Sequence, residues 1–112
     1  MTTDNQPAAG ATTTWVRIPD GTKVRHRHSN LEGFVDGLTE IVSGPNRNPD
    51  RRTQYRINVG TDIRTLLAED ELALLLDAEG LVIMAREKAP HRQAVTERLR
   101  GAFPEDRFIK PS

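Results

Sequence analysis

Polar and apolar positions alternate in three stretches of the chain and then change period. From the Asp20-Gly21 turn signal onward, Val24, His26 and His28 share one side of Thr22 to His28, and Lys23, Arg25 and Arg27 share the other. That is the pattern of a half-buried strand. Ser29-Asn30 and Gly33 interrupt it, and Gly33 to Val42 reads as a second strand with Phe34, Val35, Leu38, Ile41 and Val42 as its apolar residues. Phe34 is expected inside, and Gly37 marks a bulge or bend. Ser43 to Arg52 carries Gly44, Pro45, Asn46, Asn48 and Pro49, all turn formers that oppose a sheet ladder, and is expected to be a long loop. Thr53 to Val59 gives the cleanest alternation, with Tyr55, Ile57 and Val59 inward and Gln54, Arg56 and Asn58 outward. Gly60-Thr61-Asp62 turns into a fourth strand at Ile63 to Leu67. Ala68-Glu69-Asp70 reads as one helical turn before a fifth strand near Leu72 to Leu76.

Five short strands with hairpin-like connections and one long loop predict a small, closed or nearly closed barrel, an arrangement that hides strand edges. After Asp77, Leu81, Met84, Ala85 and Lys88 fit a helical face, and Pro90 either ends that helix or opens a second one carrying Ala94, Val95, Leu99 and Ala102. One kinked helix or two short helices are expected over residues 80 to 102. The tail to Lys110 is expected to be irregular, with Phe103 and Phe108 docking back on the barrel. The fold class is therefore mainly β with a C-terminal α part. Residues 1 to 13 are expected to form a disordered leader, 14 to 77 the barrel, and 78 to 112 the helical extension and tail.

Composition sets bounds on this scheme. Leu, Ile, Val and Phe make up 26 of the 112 residues, just above the level of about 20% under which chains tend to remain unfolded, so the core must be small. The chain has no Cys, hence no disulfide or thiolate zinc site. Neither a signal sequence nor an apolar run near the roughly 20 residues of a membrane span is visible, and a cytoplasmic protein is expected. The 16 basic and 16 acidic residues cancel but are unevenly spread. Residues 14 to 60 carry eight cations against five carboxylates, 61 to 80 one against six, and 81 to 112 seven against four. Such alternation suits separate surfaces for phosphate and for a protein partner.

Gly21-Thr22-Lys23-Val24-Arg25-His26-Arg27-His28, followed by Gly33-Phe34-Val35, by Tyr55-Arg56-Ile57-Asn58-Val59 and by Ala68-Glu69-Asp70-Glu71-Leu72, resembles the Tudor-like, SH3-like small barrels appended to bacterial helicases and Swi/Snf-type ATPases. The resemblance covers residues 20 to 76. It implies a five-stranded SH3-like barrel and a non-catalytic module that contacts nucleic acid, RNA polymerase or a partner helicase or ATPase. No Gly-x-x-x-x-Gly-Lys-Ser/Thr motif stands in this chain.

The candidate chemistry is basic. Lys23, Arg25 and Arg27 are expected on one strand face about 6.5–7 Å apart, two residues of strand rise and close to the separation of successive backbone phosphates. Arg47, Arg51 and Arg52 in the long loop and Arg56 on the third strand would extend the patch, and the planar guanidinium fork suits phosphate. His26 and His28 share a face but lack a clear third ligand, so no metal is expected. Glu69, Asp70 and Glu71 are adjacent and cannot converge on one site, and no nucleophile stands in a catalytic context, so neither enzyme activity nor a cofactor is expected. The apolar helix side with Val95, Leu99 and Phe103 either caps an open end of the barrel or docks a partner. Two functions remain: an accessory module that holds a DNA or RNA backbone and docks to a larger nucleic-acid-processing protein, or an adaptor that binds protein alone.

Overall fold

The computed structural model of the chain describes residues 15–40 and 53–111. The expected leader and the long loop, with Ile41 and Val42, lie outside the described residues. Six strands form one sheet: β1 (Lys23–His26), β2 (Glu32–Glu40), β3 (Gln54–Gly60), β4 (Ile63–Ala68), β5 (Leu72–Leu75) and β6 (Phe108–Ile109). Their order is β4-β3-β2-β1-β5-β6, antiparallel throughout except for the parallel pair β5 and β6. The sheet curls into a half-barrel around an apolar interior. A 3-10 turn, Glu69–Glu71, precedes β5, as the sequence predicts.

Alternation explains the core. Val24, Val35, Tyr55, Ile57, Leu72 and Leu74 all fall on the concave side and are buried, joined by Ile18 from the segment before β1. Tyr55 is the largest of these, and its hydroxyl accepts the Ile18 amide at 3.0 Å and donates to Glu69 at 3.1 Å, so the buried phenol keeps both partners. Burial pushes its ionisation well above the ordinary range. The pairing of β2 with β3 shifts register between Val35 and Leu38, and Gly37, at φ 126°, sits inside that shift. The bulge expected there is present because only glycine reaches that backbone conformation freely.

Two expectations are corrected C-terminal to β5. Residues 81 to 88 are not helical. Asp77 Oδ1 accepts the amides of Glu79 and Leu81 at 2.9 and 3.1 Å, and Gly80 adopts φ 80°, so the chain reverses. It returns extended: Val82 bridges Leu76 and Met84 bridges Thr22, placing Val82 and Met84 in the core with a period of two. Pro90 opens helix α1 (Ala89–Ala102), the second of the two roles its sequence position allows. The tail is also more regular than expected. Phe108 is buried and starts β6 on the outer edge of β5.

The helix closes one side of the half-barrel. Val95 and Leu99 are buried in the same apolar cluster as the sheet residues, Phe103 packs against it, and Thr96 Oγ1 accepts the Val82 amide at 3.0 Å. Arg107 then locks the tail down. It is only 8% exposed, donates through Nε to the Leu72 carbonyl at 2.8 Å and through its terminal nitrogen to the Glu69 carbonyl, and lies over the Phe103 ring. The Leu72 and Glu69 carbonyls thereby gain a charged donor.

Candidate nucleic-acid interface

The convex side of the sheet carries the residues whose parity opposes the core. Lys23 lies across from Phe34, Phe34 across from Asn58, and Asn58 across from Arg64, so one residue from each of β1, β2, β3 and β4 forms a continuous row. Arg25 and Glu32 are the next cross-strand pair. Phe34 is 38% exposed, which corrects its expected place in the core. Val35 is the inward residue, and two neighbours in a strand cannot share a face.

Two carboxylates on this side, Glu32 and Asp36, each serve two cations. Glu32 accepts Arg25 Nε at 2.7 Å and stands 3.9 Å from Lys23 Nζ. Asp36 accepts Arg64 Nε at 2.6 Å and lies 3.9 Å from Arg56, whose Nε donates to the Asp36 backbone carbonyl at 2.7 Å. The hydrogen bond from Arg64 holds the Asp36 carboxyl below its usual range, and the same bond raises Arg64. Four cations thus face two carboxylates. The four side chains are between roughly a third and a half exposed, so the surplus positive charge is accessible.

Beside Phe34 the surface opens into a shallow groove of about 520 Å³, lined by Lys23, Glu32, Gly33, Phe34, Asn58 and residues 59 to 61. Asn58 Oδ1 accepts the Gly60 amide at 3.1 Å, which fixes the side chain and leaves its amide nitrogen as the end available for donation. Gly33 is required here for another reason. A Cβ at this position would overlap the Asn58 carbonyl and lie 2.8 Å from Ile57 Cγ2, so β2 reaches β3 only without a side chain.

The other expected site residues distribute as follows. Lys23, Arg25 and Arg56 are in the convex group. Arg27 is not, because β1 ends at His26. Its guanidinium turns to the Asp70 carbonyl at 3.1 Å and to Asp106 at 3.3 Å. Arg47, Arg51 and Arg52 lie outside the described residues. Val95 and Leu99 are buried and Phe103 is partly buried, so the apolar helix face, expected either to cap the barrel or to dock a partner, is packed against the core. His26 and His28 meet edge to face at 5.7 Å, and His26 Nε2 stands 3.6 Å from Glu71. Among the described residues no group of three His, Cys, Asp or Glu converges as a metal site.

Three members of the row escaped the sequence reading as site residues: Phe34, Asn58 and Arg64. Parity next to Val35 was a sufficient signal for Phe34. For Arg64 the signal was weaker, since its place depends on the register that the turn at Asp62 sets, where φ is 59°. Among the described residues no helix is long and apolar enough to cross a membrane. No protein-family model, curated protein or solved structure matches the chain.

Proposed function

We propose that this chain is a non-catalytic binding module that holds a nucleic-acid backbone on the convex side of its sheet and serves a larger nucleic-acid-processing protein of helicase or RNA polymerase type. The observation that carries the reading is the sharing of Glu32 by Lys23 and Arg25 and of Asp36 by Arg56 and Arg64. A carboxylate between two cations holds both in place and neutralises only one, so the surface presents positioned donors with net positive charge to an incoming phosphate. The curled β sheet and the 3-10 turn before its fifth strand support keeping the Tudor-like resemblance beside this reading. That resemblance is the source of the larger partner.

The test is the ionic-strength dependence of affinity for short DNA and RNA, measured by fluorescence anisotropy. Phosphate contacts release counterions, so log K falls linearly with log salt, with a slope near one unit per phosphate neutralised. A slope of at least two that shrinks by about one on Arg25→Ala supports the proposal. The absence of binding at low salt, or a slope that Arg25→Ala leaves unchanged, overturns it and promotes a protein-only adaptor.

A further inference from the structure

We infer that Phe34, with Asn58 beside it, is a stacking subsite for one base of a single-stranded nucleic acid; this rests on the nucleic-acid reading above and specifies its ligand. Adjacent strands in a sheet are about 4.8 Å apart, so the backbone of Lys23 lies about 5 Å to one side of Phe34 and that of Arg64 about 10 Å to the other. A chain crossing the strands at right angles meets a cation, an aromatic face, an amide and a second cation, in that order. This is the arrangement a single strand requires: charge for the phosphates on each side of a base, and a π-face for the base itself.

The surroundings of Phe34 suit a flat ring. Gly33 and Gly60 contribute only backbone to the lining of the groove. Asn58 is tied down through Oδ1, and its amide nitrogen is the donor that faces a ring nitrogen or carbonyl of a base stacked on Phe34. The neighbouring Lys23 and Glu32 line the same groove. Charge commits the occupant. An apolar peptide would gain nothing from a two-to-one excess of cations, whereas a polyanion with planar bases uses both the ring and the charge. A duplex keeps its bases stacked on each other, so only an unpaired strand reaches the Phe34 face.

The experiment compares the full chain with Phe34→Ala and Phe34→Trp, using labelled short oligothymidylate, oligouridylate and a duplex at low salt, with far-UV circular dichroism to verify the fold. Phe34→Ala is expected to weaken binding of single strands roughly 5- to 100-fold while leaving duplex affinity unchanged, and Phe34→Trp to restore it. A loss with either single strand supports the subsite, and the two homopolymers report whether the sugar matters. If Phe34→Ala binds single strands within about twofold of the parent while the salt slope persists, the subsite is overturned and backbone binding stands. If the parent shows no salt-dependent binding to any of the three, both are overturned.

Discussion

The two sides of β1, β2 and β3 are built from alternate residues of the same strands, yet they are organised by opposite rules. On the concave side Val24, Val35, Tyr55 and Ile57 are at most 2% exposed, and the Tyr55 hydroxyl taken in with them has two partners. On the convex side Lys23, Phe34, Arg56 and Asn58 stay in reach of water, and the carboxylates are outnumbered. The concave side gains its stability by excluding water over apolar area. Exposed ion pairs contribute little, with typical values of about 0–1 kcal/mol, so stability does not account for four cations arranged around two carboxylates. The convex side therefore tolerates change in stability terms while being exacting in geometry.

The sharpest way to break that contrast is at the helix. Leu99 is fully buried against the sheet, and Leu99→Ala is expected to cost about 2–5 kcal/mol in chemical denaturation. A loss under about 1 kcal/mol would mean that α1 is not part of the core. Gly33→Ala comes next, because the new Cβ overlaps the Asn58 carbonyl. Overpacking of about 1–3 kcal/mol is expected, and the groove beside Phe34 should distort with it. Tyr55→Phe leaves the Ile18 amide without its acceptor and is expected to cost about 1–3 kcal/mol, with no effect on nucleic-acid affinity.

How far the sequence carried the fold depended on whether one period stood alone. Each of the five expected strands is present: Tyr55-Ile57-Val59 satisfies a period of two and no other, and Leu72 to Leu75, buried at every position, is an apolar run of strand length. Leu81 to Lys88 satisfied both periods: Leu81, Met84, Ala85 and Lys88 at helical spacing, Val82 and Met84 at strand spacing. The decision came from distant groups, the bridge to Thr22 and the Asp77 turn, which local pattern does not contain. The site was half legible. Lys23, Arg25 and Arg56 followed from parity, while Arg27 left the group because β1 stops one residue earlier, at a position no periodicity marks. Phe34 was misplaced by treating it as core on hydrophobicity when its neighbour Val35 already occupied the inner face.

Asp77 provides a pH handle on the turn that defeated the helical reading. Hydrogen bonds from the Leu81 amide, then Arg92 and the Glu79 amide, outweigh desolvation and lower its carboxyl pKa below the ordinary 3.8. A depressed folded-state value contributes stability that is present above the unfolded pKa and lost as pH falls through the folded one. The stability difference between the parent and Asp77→Asn is therefore expected to be constant at neutral pH and to shrink below about pH 4. Denaturation midpoints measured for both proteins across that range check it. A difference that stays constant below that pH would mean that the carboxylate is not what holds the Asp77–Leu81 reversal.

The smallest expected change in stability is on the convex side, and it separates a binding surface from ordinary solvated charge. Glu32 holds Arg25 at 2.7 Å and Lys23 at 3.9 Å. Glu32→Gln keeps the size and the acceptor oxygen of the side chain while removing its charge, so the change in stability is expected within about 0.5 kcal/mol. The charge balance of the group shifts by one in favour of phosphate. If Lys23 and Arg25 contact a nucleic-acid backbone, the variant binds more tightly than the parent at low salt, because a carboxylate no longer competes with the ligand for their donors. The advantage shrinks as salt screens the added charge, whose reach at 0.15 M is about 8 Å. A structural role for the pairs predicts the opposite, a measurable loss of stability with affinity unmoved. Tighter binding at unchanged stability is an outcome that the concave side, where every loss of a partner destabilises, has no way to produce.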